Sequence, residues 1–204
     1  ARLLAGGATV VMTASRISTA RLSFAKELYR SNARGEAELW LVPANLASFR
    51  DVDSVIEWVG SQQRKTVGAT SKLVKPALTP DFLLPFAAPS VRGTMAEAGP
   101  EAENQARVLL WSVERLVAGL SAIGEETNTE HRLHTILPGS PNRGTFGGDG
   151  AYGEVKAAFD AICNKWNVEP WGARTSLVQA KIGWVRGTGL MGHNDPLVAA
   201  VHAA

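Results

Sequence analysis

Residues Leu137 to Lys156 read Leu-Pro-Gly-Ser-Pro-Asn-Arg-Gly-Thr-Phe-Gly-Gly-Asp-Gly-Ala-Tyr-Gly-Glu-Val-Lys. A short apolar run, Leu133 to Leu137, leads into this stretch. A segment of helical period leads out of it, from about Tyr152 to Trp166, with Val155, Phe159, Ile162 and Cys163 on one side. Strand, glycine-rich turn and helix in that order make up the unit from which a helix-covered parallel sheet is built. Ser140 falls just past the carboxyl end of the strand, where open α/β sheets bind ligands. Tyr152 and Lys156 stand four residues apart at the start of the helix and so share one face.

The same alternation extends through the chain. Further strands are expected at Ala8 to Ala14, Ala37 to Pro43, Phe82 to Ala87 and Ser176 to Ile182, all short and apolar, as strands buried on both faces should be. Helices are expected between them. Leu22, Ala25, Leu28 and Tyr29 form a stripe that Gly35 is placed to end. Ser48-Phe-Arg-Asp51 reads as a capping box ahead of Val52, Val55, Ile56 and Val59. A long helix from about Glu101 to Ile123 carries Leu109, Val113, Leu116, Val117 and Leu120. The pattern predicts an α/β fold with a doubly wound parallel sheet. Gln62 to Pro80 reads as a polar connection that covers or edges the domain.

Composition removes several classes of function. The 21 Lys and Arg balance 19 Asp and Glu to a net +2, too even for a surface driven by phosphate neutralisation, so no nucleic-acid partner is expected. With 45% apolar and 20% charged residues the chain should fold. Cys163 stands alone, which excludes an internal disulfide or a cysteine-clustered metal site and makes a reducing compartment, the cytoplasm, the default. His131, His134, His193 and His202 lack the spacing of metal ligands, and no metal is expected. No apolar run approaches a membrane span.

Ser140, Tyr152 and Lys156 suit carbonyl reduction. A phenol can protonate the carbonyl oxygen as hydride reaches carbon. Its ordinary pKa near 10 is high for transfer at neutral pH, and a neighbouring ammonium lowers it. Ser140 would hydrogen-bond the same oxygen where negative charge develops. Tyr and Lys at this spacing also occur as surface pairs, so the serine at the strand end is what makes the set specific. After the first strand, Thr13-Ala-Ser15-Arg16 occupies the position where doubly wound folds choose a nicotinamide cofactor, and no acidic residue stands there. Arg16 with Ser15 fits the 2′-phosphate of NADPH; a solvated arginine beside a helix-capping serine is the alternative.

The run Ser-Pro-Asn-Arg-Gly-Thr-Phe-Gly-Gly-Asp-Gly-Ala-Tyr152 resembles the ketoacyl reductase domain of giant type I fatty acid synthases, of mycobacterial and corynebacterial type and more distantly fungal. Trp40-Leu-Val-Pro-Ala-Asn45, Pro85-Phe-Ala-Ala88, Trp111-Ser-Val-Glu-Arg-Leu116 and Ile182 to Asn194 extend the similarity over the whole chain. Those domains are short-chain dehydrogenases/reductases. The resemblance implies that Ser140, Tyr152 and Lys156 are catalytic, that Asn45 contacts adenine, and that Phe86, Ala87 and Ala88 run under the cofactor ribose. It implies that Gly183, Trp184 and Val185 belong to a loop against the nicotinamide, in which Arg186 and Thr188 are candidates for contacting the pyrophosphate or carboxamide. The implied activity is NADPH-dependent reduction of 3-oxoacyl thioesters delivered by an acyl carrier domain, with transfer of the 4-pro-S hydride, within a homo-oligomeric, hexameric assembly.

Two features depart from the pattern. Short-chain reductases open with a strand and a TGxxxxGxG-like loop, whereas Ala1 to Gly7 reads as the end of the helix that follows such a loop. Residues 1–204 are therefore expected to be one reductase domain lacking its first strand and phosphate loop, cut from a larger multidomain synthase. The proton-relay asparagine of many relatives is also missing: Trp111 or Ser112 stands near its place, with Asn104 about two turns early. A catalytically silent scaffold within the synthase and a free-standing reductase of another carbonyl compound are the competing functions.

Overall fold

Short β-branched and apolar runs bounded by glycine or proline become strands in the computed structural model, which describes residues 1–183 and 185, and the periodic segments between them become helices. The chain divides into two compact units, Ala1–Val55 and Ile56 onward.

In the first unit a helical turn, α1 (Arg2–Ala5), leads to β1 (Thr9–Ala14), α2 (Thr19–Asn32) and β2 (Glu38–Pro43). β1 and β2 pair in parallel, Thr9 opposite Glu38 through Ala14 opposite Pro43. The cap of α2 is Ser18, whose side chain accepts from the Arg21 amide at 3.2 Å; Ser15 is not the capping residue. α2 ends at Asn32, and Gly35 stands in the following turn with φ +55°. Of the expected stripe Ala25 is buried, while Leu22 and Tyr29 are exposed. α3 (Phe49–Gly60), which begins in the first unit and ends in the second, follows, with Val52, Val55 and Val59 buried. Half of the expected capping box forms: the Asp51 amide donates to Ser48 Oγ (3.3 Å), but the Ser48 amide donates to the Asn45 carbonyl, and the Asp51 carboxylate instead accepts the Ser48 hydroxyl (3.1 Å) and the Asn45 amide (2.8 Å).

In the second unit the segment read as a polar connection is a β-hairpin, β3 (Gln63–Val67) with β4 (Thr70–Lys75), antiparallel around Gly68-Ala69. Glycine at the first central position, with φ +61°, is what a two-residue turn of this kind requires. Lys75 anchors the hairpin: its buried ammonium donates to the carbonyls of Val59, Ser61 and Pro76 at 3.2, 2.7 and 2.7 Å and lies 4.6 Å from the Trp58 ring centre.

The expected strand Phe82 to Ala87 is shorter than its apolar run. β5 (Phe82–Leu83) is paired only opposite His134 and Thr135, and the Phe86 amide bonds to the Leu84 carbonyl, turning the chain away. The long expected helix is divided: α4 (Pro100–Ala106), a π-helical turn at Arg107–Trp111, then α5 (Ser112–Ser121). β6 (Leu133–Gly139), α6 (Tyr152–Trp166) and β7 (Thr175–Lys181) complete the unit. β5, β6 and β7 form a parallel sheet in that order. Its core is Val113 and Val117 of α5, Leu137 of β6, and Phe159 and Ile162 of α6, all 2% exposed or less. Among the described residues no helix is long and apolar enough to cross a membrane.

Candidate active site

β6 hands the chain to Ser140, which is buried and whose Oγ accepts the Asn142 backbone N–H at 3.0 Å. Among the described residues no acceptor faces the Ser140 hydroxyl proton, which leaves that proton for an incoming oxygen. The Asn142 side chain then ties the glycine-rich loop together. Its Nδ2 donates to Asp149 Oδ2 (2.8 Å), and its Oδ1 accepts the amides of Gly144 (3.2 Å) and Phe146 (3.4 Å). Both Asn142 and Asp149 are buried, so these bonds form away from competing water.

The loop lies directly on the first turn of α6. A Cβ on Gly153 would stand 2.5 Å from the Gly144 nitrogen, closer than any side chain permits. At Gly150 φ is +62°, and a Cβ would meet Gln105 Oε1 at 2.5 Å. The helix begins where the Tyr152 amide donates to the Asp149 carbonyl (3.2 Å) and the Ala151 amide donates to Gln105 Oε1 (2.6 Å).

Tyr152 and Lys156 both lie on the buried face of α6. The Tyr152 ring packs with Val91, Leu109 and Val155. Lys156 Nζ stands 5.3 Å from the Tyr152 ring centre and 4.6 Å from that of Phe159. Lys156 is only 3% exposed, and among the described residues its ammonium has no hydrogen-bond partner. Burial lowers its pKa from the ordinary lysine range to about 8. A charge left facing two ring edges or faces, with its hydrogen-bonding capacity unused, fits the hydroxyls of a nucleotide ribose.

The other predicted residues are placed as follows. Ser15 and Arg16 are exposed at the end of β1; the Arg16 guanidinium has no partner among the described residues, and the first turn of α2 carries no acidic side chain. That surrounding suits an anionic group. Asn45 is exposed, and its Oδ1 accepts the Ala47 amide at 3.1 Å. Phe86, Ala87 and Ala88 are exposed in the irregular segment beyond β5. Gly183 and Val185 are exposed beyond β7, while Trp184, Arg186, Thr188, His193 and His202 lie outside the described residues. His131 bonds the Pro80 carbonyl (3.0 Å) and His134 the Ser176 hydroxyl (2.9 Å). Where a relay asparagine is expected, the chain makes its π-helical turn, and Ser112 spends its hydroxyl proton on the Val108 carbonyl at 2.7 Å. Asn104 is exposed. A cavity of about 510 Å³ opens on another side of the α6 start, lined by Arg92, Met95, Pro100, Gly150, Ala151 and Glu154 among others; Ser140, Tyr152 and Lys156 do not line it.

Sequence reasoning assigned no role to Asn142, Asp149 or Gln105. Their signal was present: two polar residues inside a glycine-rich turn, and one polar residue on the apolar stripe of Leu109, Val113 and Leu116.

Among solved structures the chain resembles a short-chain dehydrogenase from Sphingobium yanoikuyae in complex with NADPH, with TM-score 0.66 and 17% identity over 94% of this chain and 67% of that one. It also resembles the bulky-bulky ketone specific alcohol dehydrogenase from Comamonas testosteroni, with TM-score 0.67 and 16% identity over 91% and 66%. The fold is that of the short-chain dehydrogenases/reductases. In sequence the chain is a relative of one segment of fatty acid synthase alpha subunits. It is 37% identical over 195 residues to that of Emericella nidulans, covering 95% of this chain and 11% of the subunit. To that of Saccharomyces cerevisiae it is 35% identical over 204 residues, covering 98% and 10%. The chain thus spans about a tenth of the curated relatives it matches. No protein-family profile matches it.

Proposed function

We propose that this chain is the ketoacyl reductase region of a fatty acid synthase, reducing 3-oxoacyl thioesters on an acyl carrier domain to 3-hydroxyacyl thioesters with NADPH. The observation that carries the reading is the Lys156 ammonium, buried beside the Tyr152 ring at a cost to the fold and with no hydrogen bond of its own among the described residues. The relationship to synthase alpha subunits supports the substrate class.

The reduced cofactor, when bound, supplies a hydride to the carbonyl carbon. As the carbonyl π pair moves onto oxygen, Tyr152 donates its phenolic proton there, and the resulting phenolate takes a proton back from solvent. The positive charge of Lys156 stabilises that phenolate and holds the ribose. Ser140 donates its free hydroxyl proton to the same oxygen and orients it. Arg16 and Ser15 hold the 2′-phosphate; Asn45 contacts adenine; Phe86, Ala87, Ala88, Gly183, Trp184, Val185 and Thr188 line the rest of the cofactor. The partners are the other domains of the same synthase, in a cytoplasmic homo-oligomer.

The test follows NADPH oxidation by the intact parent polypeptide with an acetoacetyl thioester. Stoichiometric formation of the 3-hydroxy product supports the reading. Absence of oxidation in an otherwise active synthase would sink it in favour of a silent scaffold.

A further inference from the structure

Gln105, on α4, is almost wholly enclosed at 1% exposure, and both ends of its carboxamide are used. Its Oε1 accepts the Ala151 amide at 2.6 Å, across 46 residues of sequence. Its Nε2 donates to the Ser90 carbonyl at 2.9 Å and reaches the Arg92 carbonyl at 3.5 Å. Ala151 occupies the N-cap position of α6 and has no side-chain oxygen with which to cap the helix, so the acceptor comes from another helix. Ser90 stands two residues beyond Ala88. One carboxamide therefore joins the segment that follows Phe86 to Ala88 to the residue immediately before Tyr152.

The surroundings make this joint specific. The Gly150 amide donates to the Gly93 carbonyl at 2.8 Å, and a Cβ on Gly150 would meet both Gln105 Oε1 and the Arg92 carbonyl within 2.6 Å. Only a glycine lets the two segments close on the carboxamide. A second link, the Arg92 to Glu101 ion pair at 3.0 Å, is about two-thirds exposed at both ends. Exposed pairs of that kind contribute little, whereas removing one partner of a buried hydrogen bond strands the other.

We propose that Gln105 is a positioning residue of the reductase site: through the backbones of Ala151 and Ser90 it fixes Tyr152, at the start of α6, against the Phe86 to Ala88 stretch. It touches neither substrate nor cofactor. The inference rests on the reading of Tyr152 as proton donor, and its weight comes from geometry, since a displacement of about 1 Å at a reacting group can lower a rate by roughly 100-fold.

The experiment uses the full parent polypeptide carrying Gln105→Leu, which removes both hydrogen bonds, and Gln105→Glu, which keeps the acceptor and loses the donor. Leu120→Ala, on α5, serves as a variant of lowered stability without a link to Ala151, and Tyr152→Phe tests the underlying reading. Hydrogen exchange at the Ala151 amide is measured with kcat and with KM for NADPH. Gln105→Leu is expected to speed Ala151 exchange and lower kcat at least about tenfold while KM for NADPH stays within about twofold. Gln105→Glu is expected to fall between it and wild type, and Leu120→Ala to keep wild-type kcat. Fast Ala151 exchange beside wild-type kcat in Gln105→Leu overturns the proposal, as does an equal loss of kcat in Leu120→Ala. If Gln105→Leu does not fold, wild-type kcat in Gln105→Glu overturns it alone. Full activity in Tyr152→Phe removes the reading itself, a result distinct from any of these.

Discussion

The ammonium of Lys156 lies 5.3 Å from the centre of the Tyr152 ring. Helix geometry accounts for the proximity, because residues four apart on α6 share a face and that face is turned into the core. A desolvated cation over aromatic rings gains about 2 kcal/mol. The lowering of the lysine pKa to about 8 corresponds to roughly 3 kcal/mol spent holding the charged form at neutral pH. The two effects are of the same order, so the rings of Tyr152 and Phe159 offset much of the burial while the hydrogen-bonding capacity of the ammonium stays unused. On the proposed reading that capacity serves a neighbouring phenol and a bound ribose.

The lowered pKa of Lys156 fixes a pH dependence. With its folded pKa lowered to about 8 from 10.5, Lys156 binds fewer protons in the folded chain than in the unfolded chain between those values. Stability therefore rises as pH increases through that window, and the full penalty applies below it. Lys156→Met should remove the rise, stabilise α6 against local opening at pH 7 and abolish reduction. Exchange of α6 amides, corrected for intrinsic rates, reads the first two effects; a Met variant no more stable than wild type at pH 7 contradicts them.

Ser140→Ala should lower kcat by roughly 100-fold or more, the scale of losing one donor to a developing oxyanion, and leave KM for NADPH nearly unchanged. The substitution takes from the Asn142 amide the Oγ acceptor it has at 3.0 Å, while the Asn142 side chain keeps its bonds to Asp149, Gly144 and Phe146, which should hold the loop. Steady-state kinetics with both substrates varied would decide the matter; a change confined to KM would place Ser140 outside the chemistry.

On the proposed reading Arg16 carries the choice of cofactor. Arg16→Asp should weaken NADPH binding by about 1.5 to 3 kcal/mol, the range for a hydrogen bond to a charged group, and improve the use of NADH. Equal loss with both cofactors would show that Arg16 does not read the 2′-phosphate.

Lys75 is a structural residue. Lys75→Met leaves the carbonyls of Val59, Ser61 and Pro76 without their shared donor, which should cost about 1 to 3 kcal/mol. Limited proteolysis of the parent polypeptide should then cut first between Gln62 and Pro80; unchanged resistance there would contradict the anchoring role.

The fold was legible wherever a short apolar run stood between turn residues, although β1 and β2 contain no fully buried residue and so are not covered on both faces as expected. β1, β2, β6 and β7 start within a residue of their predicted positions, and α6 has its predicted bounds. The misreadings share a cause: pairing partners and helix geometry are not local properties. Phe82 to Ala87 has the composition of a strand but finds partners only at Phe82 and Leu83. The hairpin is mostly exposed, so it lacks the apolar signature and was betrayed only by its Gly68-Ala69 turn. The π-helical turn keeps the residue types of an ordinary helix. Within the candidate site, Ser140, Tyr152 and Lys156 were singled out because the proposed chemistry restricts their types. Gln105 was not, because its partners are backbone groups 13 to 46 residues away.

The most direct measurement replaces Tyr152 by Phe in the parent polypeptide, which removes one hydroxyl while the ring keeps its packing against Val91, Leu109 and Val155. NADPH oxidation with an acetoacetyl thioester should then fall by about 100-fold or more, the usual scale for a general acid, with NADPH still bound. Reductase activity near wild type in that variant would contradict the account.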